Sequence, residues 1–349
     1  MKKLFSLALL TLMMVTGKTF AQSSVLATLS HEGQISTFYG AGALKSAHEA
    51  AAHGDVITLS SGSFQAVNIT KALTIRGAGM QTDSVAKIYP SVIVGSFYID
   101  VADSLEQRLT VEGVYCDDNT VTVYNTLSNA TFIKSRFYSF SSVDGSAKGY
   151  GYMKNLAFIH CRIGFSFSNE NVGNSVSFVN SVVVNPIVGS NGYANNSFEF
   201  TNSVVSWWNT TPYDNSYYAI YRNCILTTTD SRSNYLSATN LIYNCLGVAS
   251  RNMFYEHGSL ASSLYYTTTE LTNVFKTWGG RYSDAENFEL TDTAKSNYLG
   301  DDGKEVGIYG GNLPYTPNPT NPKITKFNVA SKSTADGKLS VDIEVKAAE

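Results

Sequence analysis

Apolar and polar residues alternate in short bursts along the middle of this chain. The bursts share a phrase: apolar residues, a polar residue, Ser or Cys, then apolar residues again. It reads FIKSRF at 132–137, FIHCRI at 158–163, FVNSVV at 178–183, FTNSVV at 200–205, YRNCIL at 221–226 and IYNCLG at 242–247. The small residue falls at Ser135, Cys161, Ser181, Ser203, Cys224 and Cys245, in steps of 26, 20, 22, 21 and 21 residues. Looser versions extend upstream through Gly113, Gly95, Gly77 and Ser60, at steps of 22, 18, 18 and 17. In SFEFTNSVV, Phe198, Phe200, Asn202 and Val204 share one face and Glu199, Thr201 and Ser203 the other. That alternation is the signature of a strand with one buried face, and the Asn, Ser, Gly and Thr between bursts turn the chain.

A strand unit of this period has no room for a long helix and cannot bury its face alone, so it must stack on its neighbours. The leucine-rich pattern of a horseshoe is absent, and a propeller blade needs about twice the period. The pattern therefore predicts an all-β fold, a right-handed parallel β-helix of roughly ten rungs at about 4.8 Å spacing. Asn180, Asn202, Asn223 and Asn244 recur just before the small residue. They are expected to satisfy turn backbone and to bond one another in an internal amide ladder; the rival reading is a row of ligand-binding amides.

The ends read differently. Residues 1–21 begin with Lys2 and Lys3, run apolar from Leu4 to Val15 and close on small residues before Gln22, the features of a secretory signal peptide. The run is shorter than the roughly 20 residues of a membrane span, and no later segment is apolar enough to cross. Secretion to the periplasm or outer cell surface is expected. The Ala-rich stretch 41–53, stopped by Gly54-Asp55, predicts a helix that caps the open end of the stack before the rung Val56–Leu59. The run ALKSAHEAAAHGDVITLSSGSF, followed by ALTIRGAG at 72–79, resembles the opening of secreted right-handed β-helix proteins of the pectate-lyase-like superfamily. The run from Asn287 through Gly311 resembles the closing coil of such proteins in Gram-negative bacteria. The resemblance covers roughly residues 27 to 312 and implies the fold; relatives of that kind include lyases, hydrolases and adhesins, so it leaves function open. After 312, Pro314, Pro317, Pro319 and Pro322 mark a stiff linker. Residues 323–330 and 338–347 predict a β-hairpin around Asp336-Gly337, expected to dock on the last coil, the alternative being the start of a small sandwich-like module. The domain expectation is thus 1–21 signal peptide, 22–312 β-helix and 313–349 linker and strand pair.

Composition narrows the partners. Charged residues make up 15% of the 349 and the net charge is −3, while Tyr and Phe number 22 and 18. Such a chain is too apolar to be disordered and too weakly charged to grip nucleic acid by bulk electrostatics. The chain is expected to act as a monomer.

Three constellations carry candidate chemistry. Lys134 and Arg136 on one coil match His160 and Arg162 on the next, with Glu112 a coil earlier. The resemblance to pectate-lyase-like proteins gives this row an enzymatic reading, β-elimination of an acidic polysaccharide. A cation would neutralise the uronate and Lys or Arg would remove the neighbouring proton. The lyases' full set of Ca²⁺ carboxylates and their arginine-containing motif have no match here, nor do the aspartate pairs of β-helix hydrolases. A cross-rung salt-bridge row is the plainer alternative. Asp100 and Asp118 share an offset in consecutive coils, with Asp117 beside them, a candidate Ca²⁺ site against a default of solvated turn aspartates. The aromatic loop with Trp207, Trp208, Tyr213 and Tyr217 suits stacking on sugar rings, or covers the core beneath a long turn. Cys224 and Cys245 are near enough for a disulfide, but a stack of small residues with Ser181 and Ser203 accounts for them more simply. The expected function is binding of polysaccharide or surface glycan through turn aromatics; a polysaccharide lyase or hydrolase and a structural spacer or adhesin are the alternatives.

Overall fold

The computed structural model describes residues 25–84, 89–103, 105–106, 108–142, 152–169, 175–188, 197–207, 218–228, 236, 239–249, 260–261, 266–268, 273–277, 283, 286–319, 323–329, 332–334 and 336–346. The bursts form two long sheets of twelve strands each. In the first, an antiparallel hairpin, Leu26–His31 and Gln34–Tyr39, precedes ten parallel strands from Val56–Leu59 to Leu260–Ala261. Successive coils stack in register: Phe132 lies beside Phe158, then Phe178, Phe200 and Tyr221. The fold is an all-β parallel β-helix with two short helices among the described residues.

Its interior is an aromatic column. Ring centroids from Phe132 through Phe158, Phe178 and Phe200 to Tyr221 lie 4.8, 5.1, 4.6 and 5.0 Å apart, nearly coplanar in stacking. The rung spacing of a parallel sheet is close to the stacking distance of flat rings, so in-register aromatics satisfy both at once.

At the corner between the sheets one residue per coil adopts a left-handed backbone: Gly113, Lys134, His160, Asn180, Asn202, Asn223 and Asn244, with φ from 44° to 68°. Asn tolerates this region better than other non-glycine residues, which explains its recurrence. The next residue is the Ser or Cys of the repeat. Its carbonyl bonds the next coil, as in Val182 N to Cys161 O at 2.9 Å, but its amide points to a side chain. Cys161 N donates to Ser181 Oγ (3.0 Å), Ser181 N to Ser203 Oγ (3.2 Å), Ser203 N to Cys224 Sγ and Cys224 N to Cys245 Sγ, both 3.4 Å. Each hydroxyl also donates to the carbonyl two residues back, as Ser203 Oγ to Thr201 O at 2.9 Å. The four cysteines are free and buried. Burial raises the Cys161 thiol to about 12 and lifts Cys224 in the same direction.

Several expectations change. The coil after Thr74 is enlarged: Thr74 pairs with Thr110, and the segment holding Gly95 belongs to the second sheet, so the upstream step of 18 is not a coil. Glu112 pairs with Ile133, not Lys134, because Gly113 fills the left-handed position. The capping helix is there as Ala43–Ala50, burying Ala43, Leu44 and Ala47, and Lys71 Nζ clamps its last carbonyls at 2.7–3.0 Å. The hairpin at 26–39 extends the cap.

The region resembling a closing coil is instead a strap. Residues 273–277 and 286–319 add no strand to either sheet; they run back over the outside of the second. Val274, Phe275, Phe288, Leu290, Val306 and Ile308 cover the outward column Val182, Val204, Ile225 and Leu246. Asn180 donates to Ile308 O and Gly310 O (2.8 and 2.9 Å), and Asn223 exchanges hydrogen bonds with Asp301. These two asparagines therefore hold the strap rather than forming an amide ladder. Gly311, at φ 75°, presses on Asn202 so closely that a Cβ would overlap its amide. Among the described residues the C-terminal hairpin, Lys323–Val329 with Val341–Lys346, pairs with itself, and Val341, Ile343 and Val345 are about half exposed; the greater part of the last coil, on which it was expected to dock, lies outside the described residues.

The corner ladder yields a direct test. Ser203→Ala leaves the buried Ser181 amide without its acceptor and is expected to cost about 1–3 kcal/mol. Cys224→Ser, which restores a stronger acceptor, is expected to be neutral or stabilising. Urea unfolding midpoints of the two variants check the pair, and equal losses in both would contradict the ladder.

Candidate functional site

The four basic residues do come together. Arg136 lies beside Arg162 in register, and Lys134 beside His160 at the corner. They come together under cover. Lys134, His160 and Arg162 are each no more than 7% exposed. Arg162 donates to Glu286 O at 2.6 Å and stands over the Phe288 ring; the Arg136 guanidinium sits 4.4 Å from the Tyr115 ring centroid. His160 Nε2 donates to Leu313 O at 3.0 Å, which sets its tautomer, and its ring is 5.9 Å from that of Tyr315. Burial, with the neighbouring Lys134, lowers the His160 pKa and keeps the ring neutral. A substrate polymer would meet strap backbone here, and proton transfer by this row would require the strap to leave. The column position of Arg162 continues as Val182, Val204, Ile225 and Leu246, so its aliphatic stem closes one end of the apolar stripe beneath the strap.

Register changes the offsets on which the candidate Ca²⁺ site was drawn. Asp117 pairs with Val94, whereas Asp100 follows Ile99, which pairs with Val123; a bulge in the strand Val114–Val123 separates the two carboxylates. Asp117 accepts from Tyr115 OH and Asp100 from Asn125 Nδ2. The side chain of Asp118 lies outside the described residues. No group of three or more His, Cys, Asp or Glu side chains among the described residues could hold a metal ion.

Trp207 takes the second of its two readings. It is fully buried, with its ring edge-on to Tyr221 at 6.4 Å, and so fills the core rather than offering a face to sugar. The strand Val204–Trp207 is buried on both sides because the strap covers what alternation would expose. Trp208, Tyr213 and Tyr217 lie outside the described residues.

A groove that the sequence reading did not single out lies on the outer wall of the first sheet. It has a volume of about 270 Å³ and is lined by Asn155, Leu156, Ser175, Val176, Ser177, Ser197 and Glu199. Three successive coils supply it: Leu156 stacks on Val176 and Phe198, and Ser177 lies beside Glu199. Phe158, Phe178 and Phe200 on the inner face anchor these strands, so alternation turns the serines and Glu199 outward. Asn155 adopts the left-handed region at φ 52°; its amide donates to Ser175 Oγ (2.6 Å) and its side chain to Asn129 Oδ1 (2.6 Å). Ser177 Oγ donates to Leu156 O at 3.3 Å. The alternation in SFEF and SVSF was the available signal, but outward polar residues on a strand look alike whether or not a groove lies between coils.

No family model, curated protein or solved structure matches this chain. The architecture defines the class, a parallel β-solenoid. Among the described residues no helix is long and apolar enough to cross a membrane.

The buried histidine gives a pH prediction. The unfolded chain takes up the His160 proton near pH 6.5 and the folded chain only below that, so His160 withdraws stability as pH falls below about 7. His48, also lowered by burial, acts in the same direction; His31, raised by Asp55, acts in the opposite one. His160→Asn keeps a left-handed-tolerant side chain that can donate to Leu313. It is expected to flatten, without abolishing, the loss of stability between about pH 7 and 5. Urea midpoints at the two pH values measure the change; an unaltered slope would count against a buried neutral His160.

Proposed function

We propose that this chain is an exported β-helix protein that binds polysaccharide or surface glycan along the outer wall of its first sheet. The observation that carries the reading is the groove across three coils, whose hydroxyl, amide and carboxylate groups project from stiff strands. Coils repeat at about 4.8 Å, close to the step between pyranose units in an extended glycan, so successive rungs offer polar groups in step with successive sugars. Hydroxyls that both donate and accept, beside a carboxylate that accepts twice, suit sugar hydroxyls.

Binding is favoured over hydrolysis because Glu199 is the one carboxylate among the described residues lining the groove, and glycoside hydrolysis generally needs a second one about 5–9.5 Å away. Elimination at the Lys134 to Arg162 row is disfavoured by the strap above it. Export is supported by the first 21 residues and fits the buried thiols of Cys116, Cys161 and Cys224, which burial raises and so keeps unreactive in an oxidising compartment.

A glycan array probed with the mature protein, alongside an absorbance assay for unsaturated uronate, tests the proposal. Glycan capture with flat absorbance is expected. Ser177→Arg, which fills the groove from its centre, is expected to weaken capture at least tenfold, about 1.4 kcal/mol. A silent array would favour a structural spacer.

A further inference from the structure

Resting on the glycan reading, we infer that the groove selects neutral glycans and rejects uronates, with Glu199 as the residue that decides between them. Among the described residues that line the groove, Glu199 carries the one formal charge, a negative one; Asn155, Ser175, Ser177 and Ser197 are neutral. Among the described residues no cation lines it. Arg222 projects from the same wall one coil further on, but its guanidinium pairs with Asp301 at 3.1 Å and lies 4.5 Å from the Tyr243 ring centroid. Lys154, one residue before Asn155, does not line the groove. His160 and Arg162 lie at and beyond the corner, bonded to strap carbonyls.

A sugar carboxylate placed over the serines would therefore face Glu199 at about one rung spacing, with no cation among the described lining residues. A neutral hexose meets no such repulsion. Two vicinal hydroxyls can donate to the two Glu199 oxygens, while the serines complete the acceptors and donors. Specificity here comes as much from the repelled partner as from the accepted one. This wall thus has the opposite charge logic from one built to neutralise an acidic polymer.

The experiment uses the mature chain and matched hexasaccharides differing only at C6: glucose against glucuronate, mannose against mannuronate, galactose against galacturonate. Binding is measured by titration calorimetry at low and at near-physiological salt. At least one neutral member is expected to bind, with its uronate counterpart at least tenfold weaker. Glu199→Gln keeps an acceptor oxygen but removes the charge; it is expected to hold the neutral ligand within a few-fold and to narrow the gap to the uronate. Glu199→Lys is expected to invert the preference, with uronate binding that weakens as salt rises. Glu199 is exposed, so unchanged urea midpoints will show that both variants fold. Uronates bound as tightly as their neutral partners by the wild type, or a gap that survives Glu199→Gln, would overturn the selectivity and leave glycan binding standing. Failure of every member to bind would overturn both.

Discussion

A stacked coil must turn a corner once per rung without stranding a backbone amide, and that requirement organises this molecule. The left-handed residue makes the bend and continues the ladder through its own amide, as Asn202 N does to Arg222 O at 2.9 Å. The residue after it loses its backbone partner. A buried amide left unpaired costs about 1–3 kcal/mol, so a hydroxyl or thiol on the following coil takes its place. Ser and Cys alternate freely in that column because both accept and both are small enough for it. Cys224 and Cys245 are both free in this column, and each thiol donates to a carbonyl of its own coil.

The corner in turn creates the strap. Left-handed residues project their side chains outward from the bend, and a segment that covers the asparagine amides there must replace the water it displaces with hydrogen-bond partners of its own. Residues 300–313 supply carbonyls, an aspartate and glycine-thin backbone to that edge, and apolar side chains to the neighbouring stripe. Asp301 is held below the ordinary carboxylate range by Asn223 and then by Arg222, so this clasp is weakened only as acid protonates it. The strap makes the second sheet an interior surface and leaves the first as the open wall. That division leaves polar side chains on the first sheet exposed, while the basic row beside the second lies beneath the strap.

Much of the architecture was legible from the alternation and the period, since both follow from strand geometry alone. The capping helix was legible too, from its alanine content and stop signal. The candidate site was not. Trp207 looked like a sugar platform because an aromatic loop and a core residue under a turn share one sequence signature; the strap and the Tyr221 contact separate them. Asp100 and Asp118 looked equivalent because offsets were counted from glycines, and a single bulge in Val114–Val123 broke the correspondence. Glu199 was seen as an outward residue, but its value depends on Ser177 one coil earlier and on a gap between coils that no linear pattern reports.

By itself, then, the sequence determined a stack of strands with an aromatic interior and a hydrogen-bonded corner, because these arise from contacts between residues that repeat at one period. Only the tertiary structure decided which wall stays open. That choice is made by residues 273–319, which carry no repeat and reach their partners across as many as about 150 positions. Their placement depends on matching two surfaces, the asparagine-lined corner and the valine stripe, that exist only after the coils have stacked.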